Sequence, residues 1–174
     1  MPKKNKRIVF CIDDDDQHNE ILENYLKQRY PFEVLTFTSG EEALSRMEAT
    51  KPTYIILDYY LDKINHNAKN GLEILKTIKE KYPEIFIIML SGQEKIEIAV
   101  DTMKHGAFDY VVKNPSGFIR VENTMKNINE NIRLKYEAKA YKFATRLLSG
   151  VIIFIVLAAI VLRILGISTD NVGW

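Results

Sequence analysis

Five polar side chains that can bind a metal ion or an anion follow short apolar runs of this sequence. They are Asp13, Asp14, Asp58, Ser91 and Lys113. The clearest example is Asp58, which comes directly after the bulky apolar residues 54–57. An apolar run without a polar interruption is typical of a strand buried on both faces of a parallel sheet. An Asp at the end of such a strand lies at the carboxyl edge of the sheet, where open α/β sheets bind their ligands.

Three carboxylates gathered at such an edge repel one another. The repulsion is about 1 kcal/mol per pair at 4 Å in water, and about 4 kcal/mol at an effective dielectric constant of 20. A hard divalent cation relieves it, and Mg²⁺ prefers an octahedral shell of carboxylate and water oxygens. A lysine and a hydroxyl suit the oxygens of a phosphoryl group on Asp58. Each signal is weak alone, since Asp residues cap helices and Ser-Gly forms turns, but together they predict a magnesium-dependent phosphoryl site.

The elements that must position these side chains alternate along the chain in the order βαβαβαβαβ. The predicted strands lie at residues 7–12, 32–37, 54–58, 85–90 and 109–112. Helical spacing of apolar residues falls at 18–30, 41–49, 72–78 and 94–104, and a last helix starts near Pro115 or Ser116. Ser39 is predicted to cap the second helix, with Glu42 at capping-box spacing. Because each connection is long enough for a right-handed crossover, the pattern predicts a doubly wound α/β fold with one parallel sheet.

The composition predicts a globular protein without a global preference for nucleic acid. The 174 residues are 47% hydrophobic and 27% charged, and the net charge is +1. The single cysteine, Cys11, lies in an apolar run and is predicted to be buried and inert. No secretory signal peptide is predicted, because the first apolar run is short and four aspartates follow it.

A second apolar segment, residues 147–167, has Arg163 as its only charge. Its 21 residues span roughly 31 Å at about 1.5 Å each, close to the ~30 Å hydrocarbon core of a bilayer. A helix that is apolar on every side needs a large protein core or lipid around it. We therefore predict a membrane anchor, and the alternative is a hydrophobic helix that associates with itself in an oligomer.

An apolar stripe at steps of three and four runs from Val121 to Leu147 and joins the last predicted helix to this anchor. The stripe predicts a rigid stalk or a coiled-coil pairing helix. Cations cluster before the predicted span, at Arg133, Lys135, Lys139, Lys142 and Arg146. The positive-inside rule then places the preceding domain in the cytoplasm. The predicted organisation is a domain at 1–130, a stalk at 131–146, a transmembrane helix at 147–167 and a tail at 168–174.

Five pieces of the sequence resemble the receiver domains of bacterial two-component response regulators. They are IVFCIDDDD, YIILDYYL, NGLEIL, IIMLSGQE and GAFDYVVKNP. The resemblance implies a flavodoxin-like fold with strand order 2-1-3-4-5, and it makes Asp58 the phosphoacceptor. It also implies that Asp14 binds Mg²⁺ directly, that Asp13 acts largely through water, and that the backbone carbonyl of Tyr60 completes the protein ligands.

The same resemblance implies roles for three residues around the phosphoryl group. Lys113 would pair with the phosphoryl oxygens, Ser91 would move toward them, and Tyr110 would be the aromatic switch that turns inward with Ser91. The phosphoryl donor would be a histidine kinase or a phosphotransfer protein. Two positions depart from the family pattern: Asp62 stands where proline is common, and Asn114 separates Lys113 from Pro115.

The resemblance and the apolar tail together predict a single-domain response regulator anchored in the inner membrane, with its receiver in the cytoplasm. Such a protein is a phosphoacceptor rather than an enzyme. We expect it to signal through contacts with a downstream protein, as a homodimer through its long helix, and without nucleic acid. The alternative is a receiver-fold scaffold in a membrane assembly. The three histidines, His18, His66 and His105, show no metal-ligand spacing and are predicted at the surface or at helix ends.

Overall fold

The central feature is a five-stranded parallel sheet, seen in a computed structural model that describes residues 7–61 and 69–164. Its strands are β1 (Ile8–Ile12), β2 (Glu33–Phe37), β3 (Tyr54–Asp58), β4 (Phe86–Ser91) and β5 (Asp109–Val112). The strand order is β2-β1-β3-β4-β5, so the predicted flavodoxin-like, doubly wound sheet is confirmed. This order places β1, β3 and β4 in the middle, which brings the chemistry-bearing strand ends together.

The helices connect the strands and cover the sheet. They are α1 (Asp16–Arg29), α2 (Gly40–Ala49), α3 (Gly71–Lys81), α4 (Ile96–Lys104) and α5 (Gly117–Ile164). Side-chain caps fix several of their starts: Asp15 accepts from the amides of Gln17 and His18, and Ser39 accepts from the amide of Glu42. The predicted cap at Ser39 is therefore confirmed, and the predicted helix starts differ from the observed ones by about two residues at most.

The cap of α3 is a full capping box that the sequence analysis did not single out. The Asn70 side chain accepts from the Glu73 amide at 3.1 Å, and the Glu73 carboxylate accepts from the Asn70 amide at 3.1 Å. These bonds satisfy two of the amides that every helix leaves open at its N-terminus. They start α3 immediately after the loop that follows β3. Asp62, His66 and the rest of residues 62–68 lie outside the described residues.

The core lies on both faces of the central strands. Every residue of β3 is buried. Phe10 of β1, Ile87 of β4 and Ile74 of α3 are buried as well. Full burial of such side chains contributes about 1.5–3 kcal/mol each. Cys11 is fully buried, and burial, with smaller contributions from Glu23 and Asp13, raises the pKa of its thiol far above the usual value. The prediction of a buried cysteine is therefore confirmed.

The long helix α5 extends through two compact units of the chain, Met1–Ile128 and Asn129–Trp174. In the first unit, α5 contributes Val121, Met125 and Ile128 to the core. In the second unit most of its large apolar side chains are exposed, among them Tyr136, Phe143 and Phe154. Among the described residues, α5 is the one helix long and apolar enough to cross a membrane, and none of its most apolar stretch is buried. The predicted boundaries of stalk and span stay a prediction, and residues 165–174 lie outside the described part.

Candidate functional site

Three carboxylates meet at the carboxyl edge of the sheet. Ile12 pairs with Leu57 in the β1–β3 ladder, so the next residues, Asp13 and Asp58, are neighbours across the two strands. Asp13, Asp14 and Asp58 are all buried, with exposures of 4%, 7% and 1%. One carboxylate oxygen from each lies within 4.8 Å of the other two. The convergence predicted from the strand ends is therefore present in the structure.

Lys113 joins two of these acids. It follows β5, and its backbone N–H donates to the Ser91 carbonyl at 2.7 Å, which fixes it against the end of β4. Its Nζ lies 2.5 Å from Asp13 Oδ2 and 2.9 Å from Asp58 Oδ2. The lysine side chain is only 16% exposed, so water screens these contacts weakly. One ammonium thus neutralises part of the charge of the acid cluster.

Asp13 has further donors that the sequence analysis did not predict. His18 Nδ1 lies 2.6 Å from Asp13 Oδ2, and the Asp15 amide donates to Asp13 Oδ1 at 3.2 Å. Burial opposes ionisation of Asp13. The contacts from His18, Lys113 and Asp15 outweigh it and hold the pKa of the Asp13 carboxyl below its usual value. The carboxylate form of Asp13 is therefore stabilised.

Ser91 and Tyr110 occupy the neighbouring strand ends. Ser91 is fully buried, and its Oγ accepts from the Gln93 amide at 3.4 Å. The Tyr110 ring lies inward with 8% exposure, and its hydroxyl donates to the Gln93 carbonyl at 2.7 Å. Burial, with the nearby Tyr60 and Asp58, raises the pKa of the Tyr110 hydroxyl despite a lowering contribution from Ser91. The backbone of Gln93 is thus held by both predicted switch residues.

Gly71 lies directly against the backbone of Asp58, the predicted phosphoacceptor. The Gly71 amide donates to the Tyr59 carbonyl at 2.8 Å, so the start of α3 lies directly against the end of β3. A Cβ on Gly71 would lie 2.0 Å from the backbone oxygen of Asp58 and 2.8 Å from the Tyr59 Cα. No larger residue fits there without a shift of the backbone that carries Asp58. Sequence reasoning noted the NGLEIL piece but missed this close approach.

The donor set of the acid cluster fits a hard divalent cation. Three buried carboxylates face one ammonium, which leaves a formal excess of two negative charges. Carboxylate oxygens are the ligands that Mg²⁺ prefers, and such a cation would balance this excess. The structure therefore supports the predicted magnesium site at Asp13, Asp14 and Asp58. The predicted contribution of the Tyr60 carbonyl and the assigned roles of the individual residues stay predictions.

Of the predicted helix-end histidines, two are described. His18 lies in the first turn of α1, as predicted, but its ring contacts the acid cluster. His105 caps the end of α4, where its Nδ1 lies 2.8 Å from the Asp101 carbonyl. The signal that could have distinguished them is position: His18 follows the Asp13-Asp14 pair at the turn from β1 into α1, so its side chain starts beside the site.

Comparison with known proteins identifies the domain that carries this geometry. The response regulator receiver domain matches residues 9–118, more than half of the 174-residue chain. The chain belongs to the response regulator receiver family. Receiver domains interact with histidine kinases or phosphotransfer proteins and bind Mg²⁺ at a cluster of Asp side chains, which Asp13, Asp14 and Asp58 provide here.

Its relatives include regulators and an isolated receiver. The chain is 29% identical over 138 residues to the nitrogen assimilation regulatory protein NtrX of Azorhizobium caulinodans, covering 79% of this chain and 29% of that protein. It is 32% identical over 109 residues to the alkaline phosphatase synthesis transcriptional regulatory protein PhoP of Bacillus subtilis, covering 63% and 42%. The receiver domain of NtrX from Brucella abortus superposes with a TM-score of 0.59 at 26% identity, covering 68% and 98%.

The chain spans less than half the length of these two curated regulators. Another relative, NtrC of Salmonella typhimurium, is named a DNA-binding transcriptional regulator, and 31% identity over 106 residues covers 61% of this chain and 21% of that protein. The receiver family therefore gives no support to our prediction that this chain acts without nucleic acid. The receiver is the part that the relatives and this chain share.

Proposed function

We propose that this chain is a membrane-tethered receiver that accepts a phosphoryl group on Asp58 from a histidine kinase or a phosphotransfer protein. The observation that carries this function is the position of Lys113, whose ammonium contacts both Asp13 and Asp58 inside a buried acid cluster. A structural ion pair would need one acid, whereas three acids and a shared lysine suit the capture of a phosphoryl group. We infer that the domain is a phosphoacceptor that assists its own transfer and hydrolysis, and not an enzyme acting on other substrates.

The transfer is an in-line displacement. A carboxylate oxygen of Asp58 forms a bond to the phosphorus of a phosphohistidine, while the P–N bond breaks and its electron pair leaves on the imidazole. Lys113 neutralises charge on the transferring group. Asp13, Asp14, Asp58 and the backbone carbonyl of Tyr60 would hold Mg²⁺, which when bound neutralises charge on the phosphoryl oxygens. Water later hydrolyses the acyl phosphate and restores the Asp58 carboxylate.

The response to phosphorylation passes through Gln93. The Ser91 hydroxyl moves toward the phosphoryl oxygens and gives up its bond to the Gln93 amide, while Tyr110 holds the carbonyl of the same residue. A change at Ser91 therefore alters the start of the segment that leads into α4. This segment is the two-state element that the covalent change biases, and a downstream protein would read it.

The tether is the apolar part of α5. Its large apolar side chains between Leu147 and Leu162 are exposed, and a bilayer would remove them from water. The five cations that precede it are also exposed, as expected for side chains near anionic headgroups. These features support a single span with the receiver in the cytoplasm, where a kinase has access to ATP. The segment before the span exposes apolar side chains such as Tyr136 and Phe143. These side chains are compatible with a homodimer through this segment.

Phosphorylation is tested with the full chain in detergent, incubated with acetyl phosphate with and without Mg²⁺. The wild-type protein should gain one phosphoryl group by intact mass in a magnesium-dependent manner. An Asp58→Asn variant should gain none, and Asp101→Asn, at a half-buried position on α4 outside the acid cluster, should behave as wild type. If the wild type neither gains a phosphoryl group nor binds beryllofluoride, the proposed function is wrong. The alternative, a receiver-fold scaffold in a membrane assembly, then replaces it.

The tether is tested separately by fractionation of cells that express the full chain or a variant ending at Arg146. The full chain should stay with the membranes after a high-salt wash and leave them only in detergent. The shortened variant should be found in the supernatant. A full chain that leaves the membranes as an oligomer in high salt would contradict the tether and favour the self-associating helix.

A further inference from the structure

His18 touches the acid cluster at a point that the proposed transfer does not use. Its Nδ1 lies 2.6 Å from Asp13 Oδ2, and that same oxygen accepts from Lys113 Nζ at 2.5 Å. The His18 side chain is 19% exposed and the Asp13 side chain 5%. An ionised carboxylate can only accept hydrogen bonds, so Nδ1 of His18 carries the proton in this contact. Asp13 Oδ2 therefore has two protein donors.

The two donors, Lys113 and His18, differ in their other contacts. Lys113 also contacts Asp58 Oδ2 at 2.9 Å, where a phosphoryl group would place further anionic oxygens within its reach. His18 has its hydrogen bond to Asp13 alone among the described polar contacts of its ring. When Asp58 carries a phosphoryl group, the ammonium of Lys113 is drawn from Asp13 toward the new oxygens. Asp13 would then lose one donor while it remains buried, which is unfavourable for a carboxylate.

We propose that His18 is a positioning residue that holds the Asp13 carboxylate in place when Lys113 turns to the phosphoryl group, an assignment that rests on the proposed function. The bond from the Asp15 amide to Asp13 Oδ1 remains as a second support on the other oxygen. Together they keep one carboxylate conformation available for the metal. Hydrogen-bonded partners of metal-binding carboxylates commonly change metal affinity by about 10- to 100-fold when removed.

The imidazole is itself held in this position. The His18 backbone N–H donates to the Asp15 side chain at 3.2 Å in the first turn of α1. The ring packs at 48° against Phe118, with ring centroids 5.4 Å apart. Phe118, at the start of α5, also packs against Tyr25 of α1, with ring centroids 5.5 Å apart. A ring fixed on two sides loses little freedom when it donates to Asp13.

The test measures magnesium affinity in two states of the full chain in detergent, with and without beryllofluoride as the phosphoryl analogue. The variants are His18→Ala and His18→Asn, in which the Asn amide can donate from nearly the position of Nδ1. His105→Ala, at the end of α4, is the control. Titration calorimetry gives the Mg²⁺ dissociation constant, and the thermal unfolding midpoint shows whether each variant is folded.

His18→Ala should weaken Mg²⁺ binding about 10-fold or more with beryllofluoride present and clearly less without it. His18→Asn should recover most of the affinity, and His105→Ala should match the wild type in both states. Equal losses in the two states, or no loss in His18→Ala, would overturn the role of His18 while the wild-type response to beryllofluoride leaves the proposed function intact. A wild type that does not respond to beryllofluoride would overturn both.

Discussion

The ammonium of Lys113 lies 2.9 Å from Oδ2 of Asp58, although 54 residues separate the two along the chain. The parallel order β3-β4-β5 produces this contact, since it places the carboxyl ends of β3 and β5 on either side of β4. Lys113 follows the outer strand of the three and reaches across the end of β4 to the acid cluster. The strand order of the sheet thus brings a positive side chain to Asp58, the proposed phosphoacceptor.

Replacement of Lys113 by methionine should slow phosphorylation of Asp58 by acetyl phosphate about 100-fold. The reason is loss of the only ammonium that the described residues place on the acid cluster, and removal of one such group commonly costs a factor of 10²–10³ in rate. The rate is measured by intact mass over time. Lys104→Met, which removes an exposed ammonium from α4, is the matched control and should leave the rate unchanged. Equal rates in Lys113→Met and wild type would contradict the role of the lysine.

Gly71→Ala should destabilise the receiver by about 1–3 kcal/mol, the usual range for overpacking. Helix propensity alone would favour alanine by about 1 kcal/mol, so the clash with the Asp58 backbone decides the sign. Urea unfolding of residues 1–130 measures the effect, since a solved NtrX receiver shows that such domains stand alone. Gly92→Ala is the control, because nothing lies within 4 Å of its added Cβ. A stabilised Gly71→Ala protein would refute the close approach.

Glu122 joins α5 to α1 and should make the receiver sensitive to acid. It accepts from the hydroxyls of Tyr25 at 2.7 Å and Tyr30 at 2.9 Å, and Lys126 Nζ lies 2.7 Å away. Lys126 first, and then the two tyrosines, lower the pKa of Glu122 to about 2 from an ordinary 4.5. A lowered folded-state pKa means that the carboxylate stabilises the fold above pH 4.5 and loses this effect as pH falls toward 2.

Glu122→Gln should therefore be less stable than wild type near neutral pH, and the difference should shrink between pH 4.5 and 2. Urea midpoints of residues 1–130 across this range measure it. Glu48→Gln, at an exposed position of α2, should not show this pH-dependent difference. A gap between Glu122→Gln and wild type that stays constant down to pH 2 would show that the carboxylate charge is not responsible.

Tyr60→Ala should shorten the lifetime of the phosphoryl group on Asp58. The half-buried ring follows the phosphoacceptor by two residues and packs edge-on against Tyr59, with centroids 4.8 Å apart. We expect it to shield the acyl phosphate from water. Decay is measured after removal of acetyl phosphate, with Tyr136→Ala, an exposed residue in the second unit, as control. An unchanged lifetime in Tyr60→Ala would refute the shielding role.

The parts of the site that the sequence predicted are those that depend on strand order alone. Asp13, Asp58 and Lys113 each follow an apolar run, and parallel pairing brings such positions to one edge whatever the intervening helices contain. The contacts of His18 and Glu122 were not predictable in this way. They depend on side-chain directions across helices, and Tyr25 lies 97 residues from Glu122. The close approach of Gly71 to the Asp58 backbone was missed for a different reason. A short distance between two backbone segments leaves no periodic pattern in the sequence.

The most direct test of the account is identification of the phosphorylated residue. Aspartyl phosphate is reduced by borohydride to homoserine, so the full chain is treated with acetyl phosphate and Mg²⁺, reduced, digested and mapped by mass spectrometry. We predict homoserine at position 58 and unmodified aspartate at Asp13 and Asp14. Homoserine at either of those positions, or none in a protein that binds Mg²⁺, would contradict it.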